Sequence, residues 1–115
     1  MEPRLSKRWK GPDHPILPEA WRYEIIGLSW QQQPTDANEP YIDLLLSRDG
    51  DCRRLRFWSP KDLVVNRGPA MTHGLFISDV RERALEGIGV EVGSFENSEG
   101  AVSFWARGVE EIPLG

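Results

Sequence analysis

An Asp49-Gly50 pair between the segments YIDLLLSR (41–48) and CRRLRFWS (52–59) constrains the fold of this chain more than any other feature. Aspartate followed by glycine favours the two-residue turn that joins antiparallel strands, because both central positions of that turn adopt a positive φ. With these residues at the turn, Arg48 lies opposite Asp51 and the flanking residues pair in order along both strands. The sequence therefore predicts a β-hairpin with a defined register.

The predicted register separates the side chains of this hairpin by chemistry. On one face apolar residues oppose each other: Ile42 with Phe57 and Leu44 with Leu55, while Leu46 lies beside Arg53. On the other face Asp43 lies opposite Arg56, Leu45 opposite Arg54 and Tyr41 opposite Trp58. A shift by one residue would set Asp43 opposite a hydrophobic residue, so the pattern favours the register that sets Asp43 opposite Arg56.

A second hairpin is predicted from GVEVGSFE (89–96) and AVSFWARGV (101–109). With the turn centred on Ser98 and Glu99, the predicted neighbours are Phe95 with Val102, Phe104 with Gly93, Val92 with Trp105 and Val90 with Arg107. Both faces of this hairpin are partly apolar, so we expect each of them to be covered.

Between and around the hairpins, strand-like and loop-like segments alternate. Residues 21–30, 63–65 and 75–78 are rich in the side chains typical of strands, and the segments 31–40 and 66–74 have the proline and glycine typical of loops. Residues 79–87 have the signals of a short helix, with Asp79 as the cap, Glu82 three residues later and Gly87 at the end.

The predicted fold is α+β and predominantly antiparallel, with about five to seven strands in a sheet built from two hairpins, and one short helix over 79–87. An all-β sandwich or a partly open barrel is the alternative. Residues 1–20 are predicted to form an extended, proline-rich, basic N-terminal arm, and residues 21–115 a single β-rich domain. Trp9, Ile16 and Leu17 are the candidates to anchor the arm to the domain.

Composition narrows the class of protein. Hydrophobic residues make up 39% of the chain and charged residues 28%, which is typical of a folded globular protein, and no apolar run is long enough for a membrane helix. The single cysteine, Cys52, excludes an internal disulfide and favours a reducing compartment, so we expect a cytoplasmic protein. The net charge is −4, and residues 79–115 hold three basic against eight acidic residues, which disfavours a polyanionic partner.

The sequence has no catalytic or metal-binding constellation. His14 and His73 lack the spacing to another histidine, cysteine or acid that a metal site requires, so we expect no metal and no cofactor. The loop 66–74 contains Arg67 and His73 and is a candidate functional loop, because loops on a rigid sheet often carry function.

The aromatic and basic side chains of the two hairpins are the candidate binding surface. Arg56 can pair with Asp43, and the aliphatic part of the Arg54 side chain can cover Leu45, so both arginines have a structural role. A solvent-exposed polar face would not need two aromatic rings, Tyr41 and Trp58. The predicted partner-binding face consists of Tyr41, Arg54, Arg56, Trp58, Trp105 and Arg107. We therefore expect a non-enzymatic protein-binding domain that contacts a protein partner or a second copy of itself.

Two other functions stay open from the sequence. A single-stranded nucleic-acid-binding module would use the same face together with the basic arm, and the acidic C-terminal third makes it the less favoured alternative. A small enzyme of unknown class that uses His73 is the second alternative. In its overall pattern the chain resembles small single-domain bacterial proteins, including immunity-type proteins of toxin systems. No signature motif carries this resemblance, so we assign no family and carry over no residues.

Overall fold

Two four-stranded antiparallel β-sheets form the body of the protein in its computed structural model, which describes residues 13–65, 75–83, 86–94 and 102–114. The strands are β1 (Glu24–Gln31), β2 (Tyr41–Arg48), β3 (Asp51–Trp58), β4 (Lys61–Val65), β5 (Leu75–Asp79), β6 (Val90–Ser94), β7 (Val102–Ala106) and β8 (Gly108–Ile112). The first sheet has the strand order β1-β2-β3-β8 and the second has the order β4-β7-β6-β5. Predominantly antiparallel β structure is therefore confirmed.

Among the described strands, two connections that lie side by side carry the chain from one sheet to the other. It leaves the first sheet after β3, at Ser59 and Pro60, and returns at Arg107 between β7 and β8. The Arg107 N–H donates a hydrogen bond of 2.8 Å to the carbonyl of Trp58, which joins the two crossings. Because β3 pairs with β8 and β4 pairs with β7, these four strands form one bent ribbon that links the sheets.

The hydrophobic core lies between the two sheets. The rings of Phe57 from the first sheet and Phe104 from the second meet edge to face, with their centroids 5.1 Å apart. Such an aromatic pair stabilises a core by roughly 0.5 to 1.5 kcal/mol beyond the area it buries. The same core contains Leu17, Ala20, Tyr23, Ile25, Ile42, Leu44, Leu46, Leu55, Leu75, Ile77, Val90, Val92, Val102 and Ala106.

The predicted register of the first hairpin is confirmed for every pair from Arg48 with Asp51 to Tyr41 with Trp58. Asp49 and Gly50 have φ angles of 48° and 86°, as a two-residue hairpin turn requires. The apolar face of the hairpin points into the core, where Leu44, Leu55 and Phe57 are fully buried. The other face, with Asp43 and the two arginines, is the outer face of the first sheet.

The predicted helix over 79–87 is wrong for the residues that the structure describes. Asp79 continues β5, where it pairs with Val90, and the N–H of Val80 donates to the carbonyl of Gly89. These contacts hold the backbone in the sheet where a helix would begin, and Val80 is buried. Only the 3-10 turn Arg81–Arg83 follows, while residues 84 and 85 lie outside the described part of the chain.

The predicted register of the second hairpin is also wrong, by one residue. Val92 pairs with Phe104, Val90 with Ala106 and Glu91 with Trp105. This register buries Val90, Val92, Phe104 and Ala106 together on the inner face of the second sheet. The expected register would have set Val92 beside Trp105, on the face opposite the core; Phe95 and the expected turn lie outside the described residues.

The strand count differs from the prediction for a related reason. The segment expected to be one strand, 101–109, bends at Arg107 and contributes β7 to one sheet and the start of β8 to the other. The described residues therefore form eight strands in two sheets, in place of the expected five to seven strands in one sheet. Both described sheets are open and do not form a closed barrel.

The described part of the N-terminal arm packs against the domain. Leu17 is buried in the core and Ile16 packs against it, as expected of anchoring residues, whereas Trp9 lies outside the described residues. The N–H of His14 donates to the carbonyl of Ile77 at 2.9 Å, so the arm also pairs with the edge of β5. Within the described residues, no helix is long and apolar enough to cross a membrane.

Candidate functional site

The carboxylate of Asp43 is the centre of a charged cluster on the outer face of the first sheet. Arg56, directly opposite on β3, donates from Nε to Oδ1 at 2.8 Å and from Nη2 to Oδ2 at 3.0 Å. Arg54, one step along the same face, donates from Nε and Nη2 to Oδ2 at 3.0 and 2.7 Å. One buried carboxylate therefore fixes the position of two guanidinium groups.

Two aromatic rings pack against this ion pair. The guanidinium of Arg56 lies 3.7 Å above the centroid of the Tyr41 ring and 5.7 Å from that of Trp58. The rings of Tyr41 and Trp58 meet edge to face with a centroid distance of 5.3 Å. We refer to Tyr41, Asp43, Arg54, Arg56 and Trp58 as the Asp43 cluster. Its contacts combine ion pairing, cation–π attraction and ring packing in a single rigid patch.

A loop residue completes the burial of Tyr41. The Tyr41 hydroxyl donates to the Asp36 carboxylate, with distances of 3.0 and 3.1 Å to its two oxygens. Burial and this acceptor both raise the pKa of the Tyr41 hydroxyl above its ordinary value, so the phenol stays neutral and keeps donating. The hydrogen bond from Tyr41 to Asp36 thus attaches the loop between β1 and β2 to the sheet.

The charges of the cluster balance one another. Burial by itself would raise the pKa of Asp43, but the hydrogen bonds from Arg56 and Arg54 outweigh it and hold the pKa below its ordinary value. On the strand that follows in the sheet, β8, Glu110 is the register partner of Arg56, and it is exposed. Two arginines therefore face two carboxylates, and the apparent basic run in the sequence is close to neutral in three dimensions.

The accessible part of the cluster is smaller than the sequence predicts. Tyr41 is buried and the Arg56 side chain is only 12% exposed, since both are used in internal contacts. The Arg54 side chain is 39% exposed and Trp58 is half-buried. A ligand would meet an indole ring and an oriented guanidinium, which together suit an aromatic or acidic group.

The structure brings four of the six predicted face residues together and separates the other two. Trp105 is half-buried on the outer face of the second sheet, between Lys61 of β4 and Glu91 of β6. Arg107 lies at the crossing between the sheets, where its Nε and Nη2 donate to the Glu39 carboxylate at 3.0 and 2.9 Å. Tyr41, Arg54, Arg56 and Trp58 alone share one face.

The contact between Arg107 and Glu39 has a structural explanation. Glu39 also accepts a hydrogen bond from the Ser59 hydroxyl, so it joins both chain crossings through their side chains. The hydrogen bonds from Arg107 and Ser59 lower the pKa of Glu39 and so favour its charged form. Arg107 therefore links the connection between β7 and β8 to the loop before β2 through Glu39.

The other predicted site lies beyond what the structure describes. Arg67 and His73 belong to the segment 66–74, which is outside the described residues. Among the residues that are described, no three histidine, cysteine or acidic side chains come together as metal ligands.

Two features of the surface are missing from the sequence-based prediction. Asp36, in a polar loop, gives no signal that its carboxylate reaches Tyr41. The second feature is a set of exposed large hydrophobic residues on or near strand edges: Trp21, Ile26, Trp30, Val64, Val65 and Leu114. Apolar residues occur on both faces of β1, and this pattern could have pointed to Ile26 and Trp30 as exposed residues.

Comparison with known proteins adds no assignment. No family model matches the chain, and neither a curated protein nor a solved structure matches it significantly.

Proposed function

We propose that this chain is a non-enzymatic, cytoplasmic protein-interaction domain whose contact surface is the exposed part of the Asp43 cluster. The observation that carries the proposal is that Trp58 and Arg54 lie on the same outer face of β3, around Asp43 and Arg56, and that both remain partly exposed. Tryptophan and arginine are residue types that dominate binding energy at protein interfaces. Arg54 is already oriented by two hydrogen bonds to Asp43. A partner would therefore not have to order this side chain, which lowers the entropic cost of binding.

The charge balance of the cluster favours a protein partner over single-stranded nucleic acid. A nucleic-acid platform needs a surplus of positive charge along its groove, because affinity comes largely from neutralised phosphates. In this cluster Asp43 binds both arginines, and Glu110 lies beside Arg56 on the next strand. A phosphate backbone would meet two carboxylates on this face as well as two guanidinium groups.

The proposal is tested by capturing partners from a lysate of source cells on the immobilised protein and quantifying them by mass spectrometry. Trp58→Ala and Arg54→Ala should each reduce capture of a specific partner about tenfold, the effect of removing one interface anchor. Trp105→Ala is the matched control, because Trp105 is also a half-buried tryptophan but lies on the other sheet. Thermal unfolding of each variant checks that the fold is retained.

Two results would overturn the proposal. Folded Trp58→Ala and Arg54→Ala proteins that capture the same partners as the wild type would show that the surface lies elsewhere. Salt-sensitive binding of a single-stranded oligonucleotide that is lost in Arg54→Glu would assign the face to nucleic acid instead.

A further inference from the structure

β1 forms an open edge of the first sheet, with β2 on one side and no described strand on the other. We propose that this edge pairs with β1 of a second copy of the chain, antiparallel and in register about a two-fold axis at Ser29. The paired segment is Gly27–Gln31, which runs in unbroken register with β2 beyond the bulge at Ile25 to Gly27. This inference is independent of the function proposed for the Asp43 cluster.

The other described edges carry the features that normally prevent strand pairing. β8 carries two adjacent exposed glutamates, Glu110 and Glu111. β4 begins with Lys61 and Asp62, and the positive φ of Asp62 accompanies a break in its register. β5 is covered by the N-terminal arm, through the bridge between Asp13 and Ser78.

Apart from the register shift of β1 that ends at Gly27, the segment Gly27–Gln31 has none of those features. It contains no charged side chain and no proline, and its residues offer their outward backbone groups to an incoming strand. An antiparallel strand added at this edge would satisfy those groups by ladder hydrogen bonds.

The exposed tryptophan of β1 indicates what the incoming strand must cover. Trp30 lies opposite Ile42, on the side of the sheet that faces the core, yet the residue is 45% exposed. It is exposed because the sheet ends at β1 among the described residues. Leu28, two residues earlier, shares this side and is half-buried.

A second copy complements this edge residue by residue. About an axis at Ser29, Leu28 of one chain lies opposite Trp30 of the other, and Gly27 lies opposite Gln31. Both copies of Trp30 then lose exposed apolar surface to a leucine, and Ser29 meets its own counterpart. Glu24, the charged residue of β1, falls outside the paired segment, so no like charges oppose each other.

The first test measures the oligomeric state of the full chain by sedimentation over a range of concentrations. The wild type should be a dimer, and Trp30→Lys should raise the dissociation constant at least tenfold, because it places a charge on the paired edge of both copies. Val64→Lys is the matched control, since Val64 is a similarly exposed apolar residue on edge strand β4, and it should leave the dimer unchanged.

The second test locates the axis by cross-linking. In a Cys52→Ser background, Ser29→Cys should form a disulfide-linked dimer under mild oxidation, because directly opposed residues of antiparallel strands lie within disulfide range. Ser103→Cys, also exposed but on the inner strand β7, should not. A wild type that stays monomeric throughout, or a dimer that Trp30→Lys leaves intact and Ser29→Cys fails to cross-link, overturns the proposal.

Discussion

Asp43 and Arg56 face each other across β2 and β3 and are joined by two hydrogen bonds, Nε to Oδ1 at 2.8 Å and Nη2 to Oδ2 at 3.0 Å. Both side chains are largely shielded from solvent, at 8% and 12% exposure. A paired geometry of this kind is specific because the planar guanidinium matches the carboxylate. It places the ion pair at the centre of the outer face and determines where Arg54 and Trp58 lie around it.

Asp43→Asn should destabilise the protein by roughly 1 to 3 kcal/mol, because it leaves two guanidinium groups facing a neutral amide in a shielded position. Urea unfolding at pH 7 measures the change. Glu19→Gln is the matched control: it also removes the carboxylate that pairs with an arginine, but the Arg22 and Glu19 side chains are 41% and 54% exposed, so the loss of stability should be small. Equal effects of the two substitutions would contradict a stabilising role that depends on the shielding of the pair.

The contribution of Asp43 should depend on pH in a defined direction. Its pKa in the folded state lies below the ordinary value of 3.8, so its stabilising effect is complete above pH 3.8 and is lost as the pH falls through the folded pKa. The difference in unfolding free energy between wild type and Asp43→Asn should therefore shrink below pH 3.8. Asp79, with a pKa of about 2, titrates in the same range, and it is present in both proteins and cancels in the comparison. A difference that stays constant down to pH 2 would contradict this assignment.

The attachment of the arm should weaken in mild acid. Burial lowers the pKa of His14 below 6.5, the nearby charge of Asp79 opposes this shift and that of Arg81 adds to it. The neutral ring accepts a hydrogen bond from the N–H of Ile16 at Nδ1, a position that protonation would occupy. A lowered folded pKa means that stability is full above pH 6.5 and is lost as the pH falls below it.

Thermal unfolding between pH 8 and pH 5 measures this loss. His14→Asn should lose less thermal stability than the wild type between pH 8 and pH 5, because the contribution of His14 is removed. His73→Asn, which replaces the only other histidine, should retain the loss that depends on His14. The same pH profile in wild type and His14→Asn would show that the arm does not respond to His14.

Gly93 should not tolerate a side chain. A Cβ at this position would lie 2.7 and 2.9 Å from ring carbons of Phe76, which covers the glycine on the outer face of the second sheet. Gly93→Ala should cost about 1 to 3 kcal/mol, the usual cost of overpacking. In a double-mutant cycle, Phe76→Ala should relieve most of that cost. Additive effects of the two substitutions would argue against the contact.

The first hairpin could be predicted in full from the sequence because its determinants are local. Asp49 and Gly50 set the turn, and the alternation of side chains from Tyr41 to Trp58 admits one register in which Asp43 meets arginine. The second hairpin lacks both constraints. Val92 could face either Phe104 or Trp105 by hydrophobicity alone, and only the opposing sheet, through Phe57, selects Phe104.

The sequence by itself determined the antiparallel character of the protein, the register of its central hairpin and the ion pair at Asp43, since all three depend on residues close along the chain. The tertiary structure alone decided that Trp58 and Trp105 lie on different sheets and that Arg107 binds Glu39. It also decided that no other strand of the described residues pairs with the outer edge of β1. These relationships join residues far apart in sequence, and they depend on how two sheets bury one shared core, which no local pattern specifies.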